Sequence, residues 1–366
     1  MISNVYFENC WSFAEGAEIS FEVSENPRPT DFDIHYNDGA RLNKLVALYG
    51  PNASGKTQAL KPLVFLAWFV SASFRLEPEE SIPIEPHALY SEEPINFEVE
   101  FYIQDTKYRY QLKICNGAVE HESLHKKTSR KYSVMFTRDL VDSKYVCKLN
   151  NFSVKKAFAE QTRGNVSLIS RAYYNDVKDA EIFVRYFESC RYNIDVHGRN
   201  TQTWEDIKRA AVYFAKNKEY LDQVTSLLSD LDLGLSGIRL EDETIPDKEG
   251  KQQKVIIPYG IHGQGENQFT LPFVAESSGT KSTFVLFQHL LPVLNEGGIA
   301  IIDELDNDLH IHLLYYLIDL FKGKETNPHD AQLLFTCHSP QTMKELQKHQ
   351  IYLTEKNNLL SLMAQK

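Results

Sequence analysis

A surplus of basic charge is missing from this sequence, and so are paired cysteines, long apolar runs and internal repeats. Its 50 acidic residues outnumber its 39 lysines and arginines, for a formal charge of −11. A chain this acidic does not offer its whole surface to nucleic acid, although a local basic stripe is left open. The best local candidate, "HKKTSRK" at His125–Lys131, reads as a solvated hairpin turn. The five cysteines (Cys10, Cys115, Cys147, Cys190, Cys337) include no CxxC pair. That excludes a disulfide framework and a zinc knuckle and fits a reducing cytoplasm. The longest apolar run, "LVFLAWFVSASF" from Leu63 to Phe74, is about a dozen residues, too short to cross a bilayer. It reads as a buried helix, and with no cleavable-signal position at the start no membrane association is expected. There is no repeat of a few tens of residues and no low-complexity tract.

What is present is apolar residues, 42% of 366, enough to bury a sizeable core in two or three structural units. The opening "ISNVYFENCWSF" alternates apolar and polar residues, and "LNKLVALYG" is a short apolar strand ending in glycine. From Ile95 alternation returns, with "QDTK" and "CNGA" as turns, and predicts an antiparallel meander to about residue 150. A helical period follows over 151–233, with Thr203 as N-cap of one long helix. From 234 strands alternate with helices, which predicts a mainly parallel sheet and a final helix and strand. The expected organisation is therefore 1–150, 151–233 as a helical insert, and 234–366.

"GPNASGKT", Gly50 to Thr57, fits G-x-x-x-x-G-K-[ST] between an apolar strand and a helix, where a phosphate loop must lie. Its backbone N–H groups, including those of Asn52, Ala53 and Ser54, and the helix dipole would converge on the β- and γ-phosphates of a nucleotide. Gly50 and Gly55 let the backbone come close. Lys56 would set its ammonium against the phosphates, and the Thr57 hydroxyl would ligate Mg²⁺.

In "IAIIDELDNDLH" two adjacent carboxylates end an apolar strand, which is costly unless a cation is near. Asp303 is the candidate for Mg²⁺, and Glu304 for the base that orients and deprotonates the attacking water. The alternative is a helix-capping cluster at Asp303 or Asp306. His338 ends another apolar strand, "LLFTCHSP", and is the candidate sensor of the γ-phosphate. His310 and His312, two residues apart, lie on different helix faces and read as packing and surface residues. A second permissive stretch, "VAESSGTKS" from Val274 to Ser282, precedes an apolar helix.

Taken in order, the phosphate loop, the "SSG" before a helix, "IAIIDE" and the strand-end histidine resemble the head of ABC-type ATPases of the SMC and RecF branch. The implied fold is an α/β ABC-ATPase head, a mixed parallel core sheet plus an antiparallel β-meander, with a helical insert. More narrowly, "YGPNASGKT", "ESSGT", "DELDNDLH", "TEKN" and the opening "FENCWSF" resemble the RloA and PtuA type of prokaryotic ATPase found in antiphage defence operons.

That resemblance implies an ATP- and Mg²⁺-using subunit of an antiviral complex. The subunit would act as a homo-oligomer in which Ser277, Ser278 and Gly279 meet the nucleotide of a second copy. Its effector would be a separate nuclease encoded nearby. A DNA-repair or chromosome-maintenance ATPase is the alternative, set back by the lack of sustained heptads. The "ESSGT" in place of "LSGGQ" sets back a transporter subunit. Only 28 residues follow His338, which sets back a stand-alone nuclease. His310 stands where many relatives have an aspartate, and Gln104 is the one weak candidate for their Mg²⁺-contacting glutamine.

Overall fold

Two sheets of opposite construction follow from the two kinds of strand in the sequence. The computed structural model describes residues 1–195, 198–199, 203–230, 235–246, 251–307, 309, 311–357 and 360–365. The expected boundary at 233/234 falls outside them, as does His310.

The alternating segments form a seven-stranded antiparallel sheet. Its order is Lys144–Leu149, Tyr132–Val141, Ala118–Lys127, Thr106–Cys115, Ile95–Ile103, Ile2–Glu8 and Ala17–Ser20. The turns at Asn116–Gly117 and Asp142–Ser143 hold both residues at positive φ, the backbone twist that matches two-residue hairpins. Alternation puts Phe97, Val99 and Phe101 on the buried face. There the helix Lys56–Ala72 brings Phe65 to within 5.3 Å of the Phe97 ring and 5.6 Å of Phe69.

The continuous apolar strands form a six-stranded sheet. Its order is Arg191–Tyr192, Ile299–Ile302, Gln332–Cys337, Leu45–Tyr49, Ile351–Asn357 and Leu360–Gln365, parallel except for the last pair. The three strands in the middle of the order, Ile299–Ile302, Gln332–Cys337 and Leu45–Tyr49, are buried at every residue, as parallel strands covered on both faces must be. Pairing of Cys337 with Tyr49 and of Phe335 with Ile302 brings the carboxyl ends of these three strands to one edge. In open α/β sheets that edge carries the ligand.

The chain divides into two compact units. One comprises Met1–Arg199, Val293–Glu304 and Asp319–Lys366, the other Asn200–Pro292 and Leu305–Ile318. In the second, Thr203 and Asp206 form a reciprocal capping box at the start of Trp204–Lys216. The single long helix expected there is two: Asn217, at φ −126°, ends the first by donating its side chain to the Tyr213 carbonyl, and Lys218–Asp230 starts afresh. Asparagine competes with the helical backbone in this way. The strands Gly237–Pro246, Gln252–His262 and Phe269–Pro272 make a three-stranded antiparallel sheet in this unit. In the first unit the expected final helix is replaced by short 3₁₀ turns, Pro340–Glu345 and Lys348–Gln350, and by the hairpin of the last two strands.

Candidate nucleotide site

The loop after Leu45–Tyr49 is shaped by close packing behind it. A Cβ at Gly50 would lie 2.4 Å from the Thr354 carbonyl oxygen, and one at Gly55, which has φ +103°, would lie 2.5 Å from Ser361 Oγ. Only glycine lets the loop lie flat against this hairpin. Ala53, at φ +62°, also adopts the left-handed conformation, disfavoured for any residue with a Cβ by roughly 1–2 kcal/mol. Residues alternating between left- and right-handed conformations turn successive N–H groups to one side, and the result is an anion-binding nest. Asn52 and Ala53 are exposed at its tip. Ser54 is turned inward: its hydroxyl lies 2.6 Å from Thr354 Oγ1, and its N–H donates to the Pro51 carbonyl at 3.3 Å. The Lys56 ammonium folds back over the loop, donating at 2.9 Å to the carbonyls of both Gly50 and Pro51.

The next strand end meets this loop directly. Thr57 Oγ1 donates to Asp303 Oδ2 at 2.8 Å, and Thr336 Oγ1 donates to Asp303 Oδ1 at 2.6 Å, so both oxygens of a carboxylate only 1% exposed are held. Asn193, just past the edge strand, clasps the Asp303 backbone: its Nδ2 donates to the carbonyl at 3.0 Å and its Oδ1 accepts from the N–H at 2.8 Å. The Thr336 hydroxyl also accepts from the Glu304 N–H at 2.6 Å. Glu304 sits at φ +50°, and its Oε1 is 3.6 Å from His338 Nε2, with both side chains somewhat over a third exposed.

Thr57, Asp303, Glu304 and His338, picked out on separate stretches of sequence, therefore lie on one sheet edge beside Lys56. Thr336 and Asn193 were not picked out. Thr336 had a signal, being a polar residue inside the apolar run "LLFTC". Asn193 had none, because its part exists only across strands. Thr336→Val keeps the shape but removes a hydrogen bond to a buried charge and a partner of the Glu304 N–H. We expect it to cost about 1.5–3 kcal/mol of stability, read as a shift of the urea midpoint at unchanged slope.

Lys61, one turn after Thr57, was also passed over. It is 5% exposed, with its ammonium 5.5 Å from the Trp11 ring centre. Burial holds its pKa below the ordinary lysine value, against the opposing charges of Asp195, Glu85 and Asp303. Gln104 occupies the exposed two-residue turn between Ile103 and Thr106, at φ +53°.

The signature serines belong to the second unit. Ser277 caps the helix Ser278–Glu296: its hydroxyl accepts from the Thr280 N–H at 3.1 Å and lies 2.8 Å from Thr280 Oγ1. Ser277 and Ser278 are exposed, while the preceding Glu276 is buried with Oε1 2.7 Å from His262 Nε2. His262 in turn stacks on Phe269 at 5.1 Å. This pair fixes the residue before the cap and was not foreseen. His312 is exposed on the helix Ile311–Leu320, as its surface reading required. Among the described residues no helix is long and apolar enough to cross a membrane.

Residues 45–344 match the model of the family described as "AAA domain, putative AbiEii toxin, Type IV TA system". The chain belongs to this family. The match covers this AAA domain from the strand before the phosphate loop to beyond His338. Among solved structures it is similar to an Smc head bound to the C-winged helix domain of ScpA, with 13% identity, a TM-score of 0.50, and coverage of 99% of this chain and 96% of that one. An SMC head domain from Thermotoga maritima aligns at 15% identity and a TM-score of 0.43 over 100% and 98% of the two chains. The first likeness shows the fold, an α/β SMC-type ABC-ATPase head. No curated protein sequence matches the AAA domain.

Proposed function

We propose that this AAA domain binds and hydrolyses ATP with Mg²⁺ as the nucleotide-dependent switch subunit of an antiviral defence complex, acting on a separate effector, a nuclease. The observation that carries the ATPase reading is the shared edge where Thr57, Asp303, Glu304 and His338 meet beside a phosphate loop. The residues suit the cation. The Thr57 hydroxyl and Asp303 carboxylate are hard oxygen donors held 2.8 Å apart, and Mg²⁺ takes a few such ligands while keeping its waters. Bound there with ATP, Mg²⁺ would neutralise charge on the β- and γ-phosphates.

The chain's own residues would do the rest. The loop N–H groups and Lys56 would hold the phosphates. Thr336 and Asn193 keep Asp303 in place. Glu304 would orient the water and take its proton, and His338, beside Glu304, would register the γ-phosphate. The exposed Ser277 and Ser278 and the half-buried Gly279, at a helix N-terminus, would offer the same kind of phosphate contact to the nucleotide of a second copy.

A second component is consistent with the toxin–antitoxin wording of the family description. The likeness to an SMC head supports the other reading, chromosome maintenance. Against it, the longest described helix has 19 residues, so the described chain carries no coiled-coil arm.

Sharing of sites is tested by mixing. Chains carrying Lys56→Ala and chains carrying Ser278→Arg are each expected to be inactive. Their co-assembled mixture is expected to regain up to about half of the parental ATPase rate per site, because one of two mixed sites keeps both intact halves. Inactivity of every mixture, with co-assembly shown by native mass measurement, would refute shared sites and leave hydrolysis to be judged by Glu304.

A further inference from the structure

The helix that starts at the phosphate loop runs 17 residues to Ala72, roughly 25 Å at 1.5 Å per residue. Beyond its far end lies a cleft of about 460 Å³, within the range of small-molecule sites. Three arginines line it, Arg75, Arg163 and Arg171, together with Phe74, Asn175 and one carboxylate, Glu77.

Each guanidinium is held, and each has donors to spare. Arg163 Nη2 donates to the carbonyls of Phe74 at 3.2 Å and Leu76 at 2.8 Å. Arg171 Nη1 donates to the Phe158 carbonyl at 2.9 Å and to Thr162 Oγ1 at 3.1 Å, and Arg75 Nε donates to the Tyr174 hydroxyl at 2.5 Å. These bonds use one nitrogen of each group, whereas a guanidinium carries five N–H donors in a planar fork. Aromatic rings support all three: Phe158 under Arg171 at 4.1 Å, Tyr174 under Arg75 at 5.6 Å, and Phe74 under Arg163 at 5.8 Å.

Among the described residues the arginine ion pairs involve Arg41, Arg109, Arg138, Arg185, Arg209 and Arg239, and none of these three. Capping of backbone carbonyls accounts for one nitrogen of Arg163 and of Arg171. It does not account for three cations converging on one cleft in a chain of charge −11. Burial, and then the charges of Arg138 and Arg163, hold the Arg171 guanidinium below its ordinary pKa. Like charges gathered this way repel, and an anion between them removes the repulsion.

We propose that this cleft is a second anion site, separate from the phosphate loop, which takes a phosphate-bearing small ligand of nucleotide size. Guanidinium forks match phosphate oxygens bidentately, and a cleft of this volume suits a small molecule rather than the continuous track that a polynucleotide requires.

The test is titration calorimetry on the full chain, its phosphate loop first filled with a non-hydrolysable ATP analogue and Mg²⁺. The probes are inorganic pyrophosphate, the dinucleotide pApA and a 30-nucleotide single strand. Saturable one-to-one binding of pyrophosphate or pApA is expected, weakened at least tenfold by Arg75→Glu and by Arg171→Gln. Arg75 is exposed, so its variant decides the matter should Arg171→Gln unfold. Equal affinity for the two small probes assigns the site to phosphate alone, and tighter pApA adds contact with the base. No saturable binding, binding undiminished in Arg75→Glu, or binding of the single strand only would each overturn the proposal.

Discussion

Glu304→Gln is expected to retain ATP while hydrolysis falls by about 10²–10⁴-fold, the range that a positioned general base supplies. The substitution keeps size and hydrogen-bonding shape and removes only the ability to take a proton. Glu304 is held at φ +50° by the 2.6 Å hydrogen bond from its N–H to Thr336 Oγ1. Such a conformation is unfavourable for glutamate and persists where the surroundings impose it, as at functional sites. With Asp303 directed to Thr57 and Thr336, Glu304 is the carboxylate left near His338, at 3.6 Å. Radiolabelled-ATP retention measured beside phosphate release separates the two steps. An undiminished rate of phosphate release would remove Glu304 from the role of base, and loss of ATP retention would mean that the variant damages binding instead.

Glu122→Ala is expected to cost about 3–5 kcal/mol of stability, the penalty for stranding one partner of a fully buried ion pair. Glu122 and Arg138 are both 0% exposed and meet at 2.9 Å. The carboxylate also accepts from the Tyr110 hydroxyl at 2.9 Å, the Ser167 hydroxyl at 2.7 Å and the Leu168 N–H at 3.0 Å. It thereby ties the meander to the N-terminus of the helix Leu168–Tyr173. Burial, and then the Glu122 charge, push the Tyr110 hydroxyl well above its ordinary pKa. Without Glu122, Arg138 keeps the Tyr145 ring at 4.6 Å and backbone carbonyls, of Val166 at 2.8 Å and of Thr162 and Arg163 at 3.4 Å, but no opposite charge among the described residues. The Lys156–Glu160 pair, an exposed lysine and a half-buried glutamate, serves as a control, since Glu160→Ala should cost under about 1 kcal/mol. Urea unfolding of both variants checks the contrast. Equal losses would show that burial is not what makes the first pair matter.

The local chemistry of the site was legible along the chain because each part is a short contiguous signal. Glycines at fixed spacing precede a lysine, and a carboxylate or histidine interrupts an apolar strand where the strand must stop. The antiparallel meander and the parallel strands could be told apart in the same way, from alternating versus continuous apolar residues. The break at Asn217 escaped because its flanking segments share one helical period, and the last hairpin escaped because short 3₁₀ turns have no period of their own.

Sequence by itself determined that this chain would build a phosphate loop, an acidic strand end and a histidine strand end on an α/β framework, because these depend on residue type and near-neighbour spacing. Only the tertiary structure decided that the three strand ends share one edge, since strand order is set by packing across the sheet and not by order along the chain. The same holds for Thr336 and Asn193, 33 residues after and 110 residues before the Asp303 they hold. It holds also for the three arginines around the distal cleft, whose like charges no local pattern in the sequence would bring together.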